Sequence, residues 1–151
     1  MPQILKGEVE DIQLCFHFGG GDCLKTKIAV LWILGAVAMS AHSLLYLMED
    51  GVIGQIETGD IFKGMDPAQA LFMMSLFWLI PLWMAFLSVI LKGTANRWLN
   101  IIVGAVFTIF GIYHMTQPCC IMIHQKLIVL STIIAGALVV YYAWMMPKKK
   151  D

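Results

Sequence analysis

Three histidines, a glutamate and a cysteine pair are the residues of this chain whose chemistry exceeds packing. His42 and Glu49 lie in "MSAHSLLYLMED", residues 39–50, and His114, Cys119, Cys120 and His124 lie in "GIYHMTQPCCIMIHQK", residues 111–126. Neutral imidazole binds zinc, copper or iron, with thiolate or carboxylate as further ligands. His42, His114, His124 and Glu49 are therefore the candidate metal ligands, and Tyr46, Tyr113 and Cys120 would line the pocket around them. The spacing matches no established metal motif, and none of these histidines forms a His-x-x-x-His pair. The plainer alternative is a polar lining, in which the imidazoles hydrogen-bond to carbonyls, hydroxyls, water or a small ligand. A third reading is a quinone or haem pocket walled by Trp78 and Trp83. Haem would require His42 and His114 to face each other from adjacent helices.

Positioning these groups is a matter of membrane helices. Of 151 residues, 60% are hydrophobic and 13% charged, with a mean hydropathy of +0.79. Soluble domains are nearer half apolar and a quarter charged, so the class is integral membrane protein. The formal net charge is zero, which gives no reason to expect nucleic acid or an acidic substrate as partner. Four apolar segments reach the roughly 20 residues needed for a hydrocarbon core of about 30 Å: about 27–48, 67–91, 98–115 and 120–146. Backbone in lipid must satisfy its own hydrogen bonds, so each segment is expected to be helical. Asp66 and Pro67 suit an N-cap and a first helical position. Pro118 breaks the third helix from the fourth, and Pro81 is expected to kink the second, its freed carbonyl turning to a hydroxyl such as that of Ser75.

The expected fold is an all-α, antiparallel four-helix transmembrane bundle with both termini inside. Eight of the ten Lys and Arg residues fall on the proposed inner side, leaving Lys63 and Lys126 outside, and such a bias sets orientation. The outer loop, residues 49–66, carries five carboxylates and one lysine. Residues 1–26 read as a cytoplasmic segment, 27–146 as the membrane domain and 147–151 as a basic tail. No apolar stretch of signal-peptide type precedes the first helix, which would itself be the targeting signal. "IQLCFHF", residues 12–18, alternates apolar and polar residues and reads as a short strand or interfacial segment, followed by a flexible "GGGD" link.

In this frame His42, Tyr46 and Glu49 share a helical face at i, i+4 and i+7. His42 sits roughly 10 Å from the acidic boundary at 1.5 Å per residue. His114 and His124 reach the same depth from the third and fourth helices. Ionisable groups at such depth are candidate functional sites by default. Small residues offer helix-packing stripes: Ala36, Ser40 and Ser43 on the first helix, Gly104, Thr108 and Gly111 on the third, Thr132 and Gly136 on the fourth. They suit packing within the bundle or a homo-oligomer contact. Cys15 and Cys23 fall on the inner side, where structural disulfides are rare. Adjacent Cys119 and Cys120 seldom bridge each other. No Cys-x-x-Cys pair, Ser-His-Asp set or phosphate-binding loop is present.

The stretch "KGTANRWLNIIVGAVFTI", residues 92–109, resembles an uncharacterised bacterial family of small four-helix membrane proteins. That family carries an Asn-Arg-Trp-x-Asn-Ile-Ile-x-Gly stretch entering its third helix, here Asn96 to Gly104. It is distantly similar to DoxX-like proteins, some of which are linked to redox or thiol metabolism. The resemblance spans roughly residues 28–146. It implies the four-helix fold and a bacterial inner-membrane location, and no established activity. Read physically, Asn96 caps the third helix, and Arg97, Trp98 and Asn100 anchor it at the inner interface, with Arg97 snorkelling to headgroups.

The leading expectation is a small non-enzymatic membrane protein. It would associate with itself or serve a larger membrane complex, with a polar pocket on the outer side and the lipid bilayer as its constant partner. The alternative is a redox- or metal-linked protein using the outer histidines. An oligomeric small-molecule transporter is a third reading.

Overall fold

The computed structural model describes residues 21–60, 64, 66–117 and 120–146. The segment 12–18, Cys15, Lys63, Pro118, Cys119 and the basic tail lie outside the described residues. Five helices are present among the described residues: α1 (Gly21–Leu47), α2 (Val52–Thr58), α3 (Pro67–Ile90), α4 (Gly93–His114) and α5 (Ile123–Met145). All but the short α2 are long and apolar enough to cross a membrane. The fold is the expected all-α four-helix bundle. Its lipid-facing surface is apolar, with Val37, Leu44, Ile102, Val106 and Ile109 all exposed.

Helix ends follow local chemistry. Asp66 accepts a hydrogen bond from the Gln69 N–H, with Pro67 at the first helical position. α1 begins at Gly21, so Gly21 and Asp22, expected in a flexible link, are helical. Asp22 receives Lys25 at 2.9 Å and the Thr26 hydroxyl bonds its carbonyl, which extends the helix past its apolar part. Pro81 is accommodated inside α3 and buried. Ser75 does not serve its freed carbonyl, because its hydroxyl donates to the Leu71 carbonyl instead.

Lateral packing departs from chain order. α1 packs extensively on α3 and α5, and α4 packs on α5, whereas the consecutive helices α3 and α4 touch little. The α4–α5 contact is close because it is built from glycine. A Cβ on Gly136 would stand 2.6 Å from Thr108 Oγ1, and one on Gly111 would stand 2.8 Å from Ile133 Cγ1. A Cβ on Gly104 would meet Val139 Cγ1 and Val140 Cγ2 at 3.1 Å. Small residues that admit close backbone approach are what helix association in lipid requires. On α1, Ala36 is buried and its carbonyl accepts the Ser40 hydroxyl.

A core of Leu24, Ile28, Trp32, Met84, Val139 and Ala143 fills the end of the bundle where α1 begins. Beside it lies a closed polar network. Asn100 Oδ1 accepts from Trp32 Nε1 at 2.7 Å and from the Ser88 hydroxyl at 2.9 Å, and Asn100 Nδ2 donates to Asn96 Oδ1 at 2.7 Å. Asn100 was expected as an interface anchor and is instead fully buried, tying α1, α3 and α4 together. Asn96 does not cap α4, whose N-cap is Lys92. Its Nδ2 donates to the carbonyls of Ser88 and Leu91, so it closes the C-terminus of α3. Arg97 is buried as well, its guanidinium lying over the Trp144 ring at the bundle end rather than extended clear of the helices. Trp98 is exposed.

Candidate metal centre

At the opposite end of the bundle α1 carries His42 and α4 ends at His114. Their Nε2 atoms face each other at 3.1 Å, with the rings inclined at 73°. Past His114 the chain tightens through i→i+3 bonds: Thr116 N–H to Tyr113, Gln117 N–H to His114, and Cys120 N–H to Gln117. This turn returns Cys120 to the bundle, 1% exposed. The potential ligand atoms of His42, His114 and Cys120 lie within 4.8 Å of one another.

The expected four-ligand set divides in two. His124 does not join His42 and His114; its Nε2 lies 3.4 Å from Glu49 Oε1. Glu49 Oε1 also accepts from Gln125 Nε2 at 3.2 Å. Gln125 is fully buried and abuts His42, so the carboxylate connects to the histidine pair through an amide. His42 Nδ1 and Gln125 Oε1 are both buried with no hydrogen-bond partner. The two orphaned atoms are chemically complementary, since an Nδ1–H donates to an amide oxygen. That donation would leave the His42 Nε2 lone pair directed at the site, the usual orientation of a metal-ligating imidazole.

The 3.1 Å separation suits two kinds of chemistry. It is a good N–H···N hydrogen bond between neutral rings of opposite tautomer. It is also close to the ~3.3 Å that two nitrogens adopt on one tetrahedral ion with bonds of about 2.05 Å. Axial ligation of haem needs the nitrogens on opposite faces of the ring, about 4 Å apart for two such bonds end to end. The observed pair is too close for that.

Phe110 lies nearly parallel to the His114 ring, with centroids 5.9 Å apart, and Phe77 stacks on Phe110 at 4.5 Å. These rings border a mostly apolar cavity of about 670 Å³. It is lined by α1, α3, α4 and α5 where α3 and α4 diverge, and it reaches His42, Tyr46 and His114. Trp78 lines it, whereas Trp83 faces outward. Tyr113, expected in the pocket, is 61% exposed and points away, because it lies next to inward-facing His114 on the helix.

Gln125 is the site residue that sequence reasoning missed. The available signal was its type: an uncharged polar side chain at the start of an apolar helix, beside a histidine. Compared with protein-family models, with curated proteins and with solved structures, the chain finds no match.

Proposed function

We propose that this membrane protein binds a single soft or borderline transition-metal ion through His42, His114 and Cys120. The observation that carries the reading is the convergence of three potential ligand atoms from α1, α4 and the turn before α5 within 4.8 Å. Thiolate and imidazole together favour Cu(I) and Zn(II) over Mg(II) or Ca(II). A Cu(I) ion held by one thiolate and two neutral imidazoles carries no net charge, the least costly state at membrane depth. Zn(II) in the same set would leave one positive charge, for Glu49 to balance through Gln125. Cu(I) is therefore the preferred ion. Self-association or an accessory role, suited to the exposed apolar faces, gives this buried cluster no task.

The test is metal loading of purified protein in detergent under reducing conditions, followed by competition with a Cu(I)-selective chelator and elemental analysis. One copper per chain is expected, lost in a His42→Ala/His114→Ala variant. Copper retained equally by that variant, or no stoichiometric ion at all, contradicts the reading.

The cavity favours a second reading: a membrane-dissolved molecule with one hydrogen-bonding end, a quinone by class, its polar group against His42 and His114. Organic extraction and mass spectrometry of the purified protein separate the two, because only this reading expects a stoichiometric co-purifying apolar compound.

A further inference from the structure

The far end of the bundle holds a buried charge with no counterion among the described residues. Arg97, in the second turn of α4, is 5% exposed, and its Nε has no hydrogen-bond partner. Among the described residues it forms no ion pair; its guanidinium instead lies over the Trp144 ring, 4.9 Å from the centroid. The neighbouring amides are already committed. Asn96 Nδ2 and Oδ1 serve α3 and Asn100, and Asn100 Oδ1 is shared by Trp32 and Ser88. A buried guanidinium without an anion is strongly disfavoured, and five N–H donors in a fixed fork match phosphate geometry.

The surroundings point to the same ligand. Among the described residues, Lys25, Lys27 and Lys92 stand at this end, against Asp22, which is already paired with Lys25 at 2.9 Å. α4 starts at Lys92 and Gly93 with no side-chain cap, so first-turn N–H groups and the positive end of the helix dipole face the same region. Trp144 is exposed on the apolar surface, as an aromatic ring at headgroup depth would be.

We infer that Arg97 binds the phosphate of an anionic phospholipid headgroup, with Lys92 and the start of α4 completing the site. A lipid rather than a free anion is the source, because the site lies at the end of membrane-length helices, where phosphodiesters are concentrated. The arginine thereby acquires its counterion from the bilayer. This inference is independent of the histidine end.

The experiment measures thermal unfolding of the purified protein in neutral detergent with added phosphatidylglycerol, phosphatidylcholine or inorganic phosphate. Phosphatidylglycerol is expected to raise Tm, with phosphatidylcholine and inorganic phosphate giving little change. Arg97→Gln should abolish the response while leaving the lipid-free Tm equal or higher, since it removes an unpaired buried charge. Arg97→Lys should keep part of it. Native mass spectrometry of the wild-type chain gives a second readout, with phosphatidylglycerol retained about tenfold or more over phosphatidylcholine, the scale of a charge-assisted hydrogen bond. Equal retention of both lipids, an equal shift from inorganic phosphate, or an undiminished response in Arg97→Gln overturns the proposal.

Discussion

His42 and His114, 72 residues apart in the chain, meet through their Nε2 atoms at 3.1 Å. The contact joins α1 to the last residue of α4, two helices that both pack against α5. It also sits where the apolar cavity ends and where Cys120 returns from the turn. A polar contact of this kind at membrane depth specifies both helix rotation and a place for chemistry.

Ligand and supporting residues should separate by magnitude. His42→Ala, His114→Ala and Cys120→Ala each remove a proposed ligand and should abolish stoichiometric Cu(I) retention against the chelator. Gln125→Ala and Glu49→Gln touch only the supporting chain and should weaken binding by about 10–100-fold, as changes beyond the ligand shell do. Tyr113→Phe should bind as wild type, because Tyr113 points outward. Equilibrium competition titrations on each variant check the order.

The α4–α5 seam should reject even a methyl group. Gly136→Ala places a Cβ 2.6 Å from Thr108 Oγ1 and 3.4 Å from the Gly104 carbonyl. It should destabilise by about 1–3 kcal/mol, the usual range for overpacking. Thr108→Ala removes the clashing oxygen, so the double variant should recover much of the loss and show clear non-additivity. Thermal denaturation of the single and double variants in one detergent measures this.

The buried network around Asn100 should be worth more than any one of its bonds. Asn100→Leu strands the Trp32 N–H and the Asn96 Oδ1 together and should cost about 1–3 kcal/mol. Trp32→Phe keeps most of the ring and leaves the Ser88 bond to Asn100, so its cost should be nearer 1 kcal/mol, in line with single interhelical hydrogen bonds in membranes. Comparison of Tm shifts tests the ranking; a larger loss for Trp32→Phe would contradict it.

Helix number and rough extent were legible because the cost of apolar exposure is written in segment length. The meeting of His42 and His114 at one end of the bundle was legible for the same reason, since rise per residue converts position into height. Rotation was not. His114 turns inward while Tyr113, its neighbour in sequence, turns out; the buried residues of α4 are polar or small, Asn96, Asn100, Gly104 and Gly111 among them, so its apolar face is the outer one and hydrophobicity alone points the wrong way. His124 lies beside Glu49 rather than beside the other two histidines. Asn96 read as a cap and Asn100 as an interface anchor, since a polar side chain near a helix start suits either role. Only the packing of α1 against them reveals that Trp32 supplies the buried donor.

X-ray absorption at the copper edge of Cu(I)-loaded protein tests the central claim most directly. A shell of two imidazole nitrogens and one sulfur is expected, at about 2.0 and 2.3 Å on the scale of borderline metal sites. Cys120→Ser and His42→Ala/His114→Ala, treated in the same way, should retain no stoichiometric copper and show no such shell. A shell without sulfur and imidazole, or one unchanged by those substitutions, would contradict it.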